Sequence, residues 1–298
     1  MLAYLKAAHE KRLERKGIKP LALPKFLAEN PDASLPIKSG RTGISARTVI
    51  AWYQWSNTSW SLSSQPTGWL KGWRMEGDRY QPCQQHVHAL SSLVKESVIS
   101  NWSTEIQQIG GFSASKSKLE ELESMDIMAT RNSPEMVDEI TEAKLKRNLA
   151  HDQIRIINSP DRTSDCFVRF GWDDLTYLFN AGGSHHFAAA RYIAGKLSIP
   201  VPLSGKLVTF DIDRDSVIAL RQEFEMFTIK ESKLLDLFDA MRLFGAPLLR
   251  QALPMPHYHD ICAVFLPRNN DRSMKVAELL HAAGWTDLGE HLAELTLP

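Results

Sequence analysis

The chain has 298 residues, 43 % of them hydrophobic, enough for one large core or two ordinary ones, which predicts a soluble globular protein. Thirty-five basic residues balance 35 acidic ones, so no net field draws the molecule to nucleic acid or to an anionic membrane. The three cysteines, Cys83, Cys166 and Cys262, are an odd number, widely spaced and without a Cys-x-x-Cys pair, which disfavours a disulfide framework and a cysteine zinc site and makes the cytoplasm the expected compartment.

The opening "MLAYLKAAHEKRLERKGIKP" is too charged for a secretory signal, and no stretch reaches the length of a membrane span. Leu2, Leu5 and Leu13 recur among basic residues at helical spacing up to Lys16, and Gly17 with Pro20 stops that helix. Five of the eight tryptophans, Trp52, Trp55, Trp60, Trp69 and Trp73, follow among Ser, Thr and Gly. They are expected to pack in a small core, with a partner surface over Trp52 to Trp73 as the alternative.

"CQQHVHALSSLVKESVISNW" reads as helical, which places His86 and His88 on different faces and makes them a poor metal pair. The small, polar "GGFSASKSK", Gly110 to Lys118, reads as a loop or linker before an acidic helix "LEELESMDIM". The next helix is expected to start at Ser133, with Pro134 at the first helical position and Glu135 in the first turn.

From His151 the pattern turns to short β-prone runs, "QIRII", "CFVRF" and "LTYLF", predicting antiparallel strands joined by tight turns such as "GWDD". A helix "HHFAAARYIAGKL", a strand around "IPVPLSGKLVTFDI", helices over "DSVIALRQEFEMF" and "ESKLLDLFDAMRLFG", a strand "ICAVFLP" and helices over "DRSMKVAELLHAAGWTDLGEHLAEL" complete an α/β (α+β) order. The expected division is a Trp-rich, mostly helical or irregular region over 1–118 and an α/β domain over 119–298 with a strand-helix C-terminal extension.

The candidate site is "YLFNAGGSHHFAAARY". A strand that runs through Asn180, Ala181, Gly182, Gly183 and Ser184 straight into a helix offers free N–H groups at the positive end of the helix dipole, an arrangement that binds anions. The glycines admit a phosphate close to the backbone, Ser184 is placed to cap the helix, and His185 and His186 are placed to donate. Arg191, a turn and a half further on, is a more distant contributor to the same anion site.

This segment, with the downstream "GKLSIPVPL", resembles the nucleotide-binding signature of the ParB/sulfiredoxin superfamily, in which a strand runs into glycine, a polar residue or cysteine, a His-Arg or similar pair, and an Ala-rich helix. The resemblance covers Cys166 to Leu203. It implies a small mixed sheet, a nucleotide such as ATP as ligand, magnesium as its companion, and phosphoryl transfer or nucleotide hydrolysis as the reaction. Ser184 stands where sulfiredoxin has its thiol, so sulfinic acid reduction is not expected, and His186 stands where arginine is usual. The helices that follow lack a basic recognition face, which sets nucleic-acid binding below a small phosphate-bearing ligand.

For acid-base chemistry the candidates are His185 with Asp173 and Asp174, and farther along Glu223 and Glu225. The simplest role of the aspartates is the hairpin turn itself. His257, His259 and Asp260 in "PMPHYHD" form half of a metal site or a proline-stiffened loop. No Walker loop, dinucleotide fingerprint, zincin motif or nucleophile elbow is present. The leading expectation is thus a nucleotide- or phosphate-binding protein at Gly182, Gly183, Ser184, His185 and His186, and the alternative is a non-enzymatic interaction protein or a DNA-binding, nuclease-type one.

Overall fold

The structure, a computed structural model, describes residues 2–37, 40–60 and 67–297, with side chains from residue 8 onward. Residues 61–66 of the tryptophan-rich stretch and the side chains of Leu2 and Leu5 lie outside the described residues. The elements run α1 (Leu2–Arg15), α2 (Ala22–Glu29), β1 (Trp69–Glu76), β2 (Arg79–His86), α3 (His88–Ser91), β3 (Val94–Glu105), β4 (Ile109–Phe112), α4 (Met125–Asn132), α5 (Glu142–Leu149) and α6 (Arg155–Asn158). Then follow β5 (Cys166–Phe170), β6 (Thr176–Phe179), α7 (Ser184–Leu197), β7 (Pro202–Ile212), α8 (Arg214–Glu223), β8 (Phe224–Lys230), α9 (Leu234–Arg242), β9 (Leu248–Ala252), β10 (Ile261–Pro267), α10 (Asp271–Ala282) and α11 (Leu288–Glu294). The α+β class expected from the sequence is the observed one. Among the described residues no helix is long and apolar enough to cross a membrane.

Two compact units share the chain, one formed by residues 1–38, 51–95 and 212–298, the other by 39–50 and 96–211. The expected boundary at residue 118 falls inside the second unit. The Gly110 to Lys118 tract is no linker, because its first residues belong to β4, which pairs in parallel with β6. Gly111 permits that pairing, since a Cβ there would lie 2.5 Å from the Ile44 carbonyl oxygen and 2.7 Å from the Tyr177 ring.

The first unit holds an antiparallel sheet in the order β2-β1-β9-β10-β8. β1 and β2 form a hairpin closed by Gly77 and Asp78, with Gly77 at φ +60°, so the region expected to be helical around "CQQH" is strand. Trp52 and Trp55 are interior residues in edge contact at 5.2 Å, and the Trp55 indole donates to the Ala252 carbonyl at 2.9 Å. Trp73 packs on Phe238 with centroids 4.4 Å apart. These three side chains are therefore packing residues rather than a partner surface. Buried Glu14 accepts from the Leu21 and Ala22 N–H groups at 2.9 and 2.8 Å, placing a carboxylate at the start of α2.

The second unit holds a mixed sheet in the order β3-β7-β5-β6-β4, with β5 antiparallel to β6 and parallel to β7. The "CFVRF" and "LTYLF" hairpin is thus as expected, whereas "QIRII" is not a strand. Ile154 and Ile156 are buried while Arg155–Asn158 makes one helical turn, so tertiary burial overrides β propensity there. The helix expected from Ser133 is divided into a single 3-10 turn at Pro134–Met136 and α5, which Thr141 caps by accepting from the Lys144 N–H at 3.2 Å. α7 packs against α4 and α5 through Phe187, Ala188, Ala190 and Ala194, all essentially without exposure.

Candidate functional site

β6 ends at Phe179, and the chain turns through Asn180 to Gly183 into α7. Asn180 holds the turn, its amide donating to the Ala114 carbonyl at 3.1 Å and to the Gly182 carbonyl at 2.8 Å. The Asn180 N–H donates to Ser113 Oγ at 3.1 Å, and the Ser113 N–H to the Leu178 carbonyl at 3.1 Å. The 113–118 loop is thereby tied beside the start of α7. Together with residues 132–136 and 151–153 it encloses a cleft of about 750 Å³ that reaches Ala181 to His186. Four serines, Ser115, Ser117, Ser133 and Ser184, and three histidines, His151, His185 and His186, line it.

The first hydrogen bond of α7 is Phe187 N–H to the Gly183 carbonyl at 2.9 Å. The N–H groups of Ser184, His185 and His186 precede it and have no acceptor among the described residues. Gly183, in the left-handed region at φ +75°, occupies the N-cap position, so Ser184 does not cap the helix as expected. Buried Ser184 instead donates to Ser115 Oγ at 3.0 Å. The glycines serve the protein as well as any ligand, because a Cβ on Gly183 would lie 2.6 Å from the Gln153 carbonyl oxygen.

His186 Nδ1 meets Asn148 Oδ1 at 3.0 Å, and the Asn148 amide donates to the Met136 carbonyl at 2.9 Å. Neutral His186 therefore carries its hydrogen on Nδ1, leaves Nε2 as an acceptor, and becomes a second donor only on protonation. Burial holds its pKa below the ordinary histidine value, and the nearby His151 and His185 rings lower it further. Burial also lowers His185, with Glu135 opposing and Lys116 adding to the shift. His185 sits between Ser117 Oγ, 3.2 Å from Nε2, and Ser133 Oγ, in short contact with Nδ1. Lys116 and Glu135 supply one charge of each sign to the cleft.

The other expected site residues lie elsewhere. Arg191 pairs with Asp126 at 2.6 Å and donates to the Gln107 carbonyl at 3.2 Å, away from the cleft lining. Asp173 and Asp174 lie at the far end of β6 from the cradle, in the hairpin turn, where both pair with Arg41. Asp173 also accepts from the Tyr177 hydroxyl at 2.6 Å and the Leu175 N–H at 3.2 Å, which makes it a turn anchor rather than a partner of His185. Glu135 is the one carboxylate among the described lining residues, so the aspartate pair named as acid-base candidates is not brought to this cleft.

His257, His259 and Asp260 lie in the turn before β10 rather than on a strand, and His86 ends β2 against Trp69 with centroids 5.3 Å apart. None of these four, nor His88, joins a metal-ligating group among the described residues. Such a group forms where sequence reading named only Glu225: Glu225 of β8, His281 of α10 and Asp287 at the start of α11 place one ligand atom each within 4.8 Å of one another. Arg268 pairs with one Glu225 oxygen at 2.8 Å and His281 Nε2 meets the other at 3.1 Å, so Glu225 is already partnered on both oxygens. Glu223 is partnered by Gln85 at 2.9 Å.

Sequence reading missed Ser115, Ser117, Asn132, Ser133 and His151. They come from three separate stretches, and the only local hint was the serine density of the 113–118 loop.

The fold and cleft define an α+β protein in which a hydroxyl- and imidazole-lined cavity opens at the start of an alanine-rich helix. Residues 99–297 match the family described as a family of unknown function, DUF6685, and the chain belongs to it. The matched stretch contains the whole cleft. No curated protein and no solved structure matches the chain.

Proposed function

We propose that the cleft at the start of α7 binds a small phosphate-bearing ligand. The observation that carries this reading is the set of three N–H groups, Ser184 to His186, left without acceptors at the positive end of a 14-residue helix and opening into a cavity lined by hydroxyls, imidazoles and Lys116. The volume of about 750 Å³ lies in the range of small-molecule sites and admits a nucleoside phosphate. A triphosphate carries more charge than Lys116, opposed by Glu135, can balance. A monophosphate ester or the terminal phosphate of a mononucleotide is the better fit. ATP with magnesium stays within the proposal as the ligand that the ParB/sulfiredoxin resemblance implies.

The test is calorimetry of inorganic phosphate, ATP, ADP, CTP and GTP against the wild-type chain, with and without magnesium. Lys116→Glu, at an exposed position, and Ser184→Glu, at the helix start, are expected to abolish the binding. Binding that both variants retain would overturn the site. The reading of the tryptophans as a surface for a protein partner lacks comparable support, because Trp52 and Trp55 are interior.

A further inference from the structure

Ser184 stands where sulfiredoxin has its thiol, yet its hydroxyl has no imidazole partner among the described residues and donates to Ser115. Ser133 and Ser117 both meet the His185 imidazole, and the one whose oxygen also accepts from a side-chain amide is Ser117. Its Oγ lies 3.2 Å from His185 Nε2 and accepts from the Asn132 amide at 2.7 Å. That uses one lone pair of the oxygen, directs its hydrogen to Nε2 and leaves the second lone pair for the cleft, which Ser117 lines. The Ser117 N–H donates to Ser115 Oγ at 3.1 Å, the same oxygen that accepts from Ser184, so the loop carrying Ser117 is tied to the first residue of α7. With the Ser117 hydrogen directed to Nε2, the ring hydrogen of neutral His185 belongs on Nδ1, where Ser133, 1 % exposed, accepts it on the opposite side of the imidazole and leaves Nε2 as the base.

We propose that Ser117 is a nucleophile that takes a phosphoryl group, with His185 as its general base and Ser133 as a positioning residue. The proposal rests on the reading of the cleft as a phosphate site. A bond forms from Ser117 Oγ to phosphorus as the bond from phosphorus to the ester oxygen breaks. The serine proton passes to His185 Nε2 and from there to the departing alcohol oxygen. Water then attacks the phosphoserine, gives its proton to His185, and Ser117 recovers a proton as inorganic phosphate leaves. The sum is a phosphate monoester and water converted to an alcohol and phosphate. The N–H groups of Ser184, His185 and His186 are the donors available to the phosphoryl oxygens. Burial keeps His185 neutral to lower pH, and the charged and titratable groups that face it are Glu135, Lys116 and its neighbour His186 with His151.

The experiment uses the full chain and an alkyl fluorophosphonate, which forms the same bond to serine oxygen and releases fluoride, with calorimetry of inorganic phosphate alongside. The expected result is one adduct, mapped by mass spectrometry to Ser117. Ser117→Ala should leave no adduct, and His185→Gln should slow labelling on the order of 100-fold. The labelling rate should rise with pH through the His185 titration, be flat in His185→Gln, and have a displaced midpoint in Ser133→Ala. Ser117→Cys, which conserves shape, guards against a folding defect: its thiol should be alkylated by iodoacetamide faster with His185 than with Gln at that position. Phosphate binding with no adduct at Ser117 overturns the nucleophile and leaves the binding reading standing. Absence of phosphate binding overturns both. An adduct on Ser184, or undiminished labelling in His185→Gln, overturns the pair.

Discussion

His186 lies face to face with His151, ring centroids 3.8 Å apart and planes 18° from parallel. Two rings so placed tolerate one charge better than two, and burial with the His151 neighbour holds His186 below its ordinary value of 6.5. Burial does the same to His185. The unfolded chain then binds protons more readily than the folded one, so stability is full above pH 6.5 and is lost as pH falls through the depressed values. The urea midpoint is expected to drop between about pH 7.5 and about pH 5. His186→Gln should flatten that dependence, and an unchanged slope would show that the stack does not contribute.

Gly183 combines a left-handed backbone with a close approach. An L side chain there costs about 1–2 kcal/mol from conformation alone, and its Cβ would also meet backbone at 2.6 Å from the Gln153 oxygen. Gly77, at φ +60°, has open space around it and pays only the first penalty. Denaturant unfolding should therefore rank Gly183→Ala well below Gly77→Ala in stability. Equal losses would mean that the 151–154 turn moves aside freely.

The two aspartates of the "GWDD" turn should behave differently. The Asp173 side chain is 6 % exposed and holds Arg41, the Tyr177 hydroxyl and the Leu175 N–H, whereas that of Asp174 is 77 % exposed. Asp173→Ala leaves the Tyr177 phenol and the Leu175 N–H without their acceptor and Arg41 with only the exposed Asp174, and is expected to cost about 2–4 kcal/mol. Asp174→Ala, an exposed pair, should cost about 0–1 kcal/mol. Chemical denaturation of the two variants checks the ranking.

Burial grades the three thiols. Cys262 is fully buried and its thiol is pushed up to about 12, Cys166 is buried and also raised, and Cys83 is only half-buried. A disulfide reagent at neutral pH should titrate Cys83 in the native protein and reach Cys166 and Cys262 only after unfolding. Native-state modification of Cys262 would mean that the first unit's sheet opens at β10.

Much of the second unit was legible in the chain. "CFVRF" and "LTYLF" announce a hairpin by β-branched and aromatic content around a turn, and "SHHFAAARYIAGKL" announces a helix by alanine content and the glycines before it. The hairpin of β1 and β2 was not legible, because "RYQPCQQH" is polar and its pairing is decided by β1 and the Gly77-Asp78 turn. "QIRII" looked like a strand and became a helical turn because Ile154 and Ile156 are buried while Gln153 covers Gly183. Local propensity is worth less than about 1 kcal/mol per residue, and such burial exceeds it.

The sequence by itself determined the α+β class, the charge balance and the run of strand, glycine turn and helix, whereas the structure moves the helix cap from Ser184 to Gly183 and leaves the N–H groups of Ser184 to His186 without acceptors among the described residues. Only the tertiary structure decided what faces them. Ser117 and Ser133 reach His185 across 68 and 52 positions of chain, and Asn148 reaches His186 across 38. Those meetings follow from α4 and α5 packing on the alanine face of α7 and from Asn180 tying down the 113–118 loop. Periodicity records which face of a helix is buried, but not which distant segment buries it, because that choice is made by the free energy of the whole packed unit.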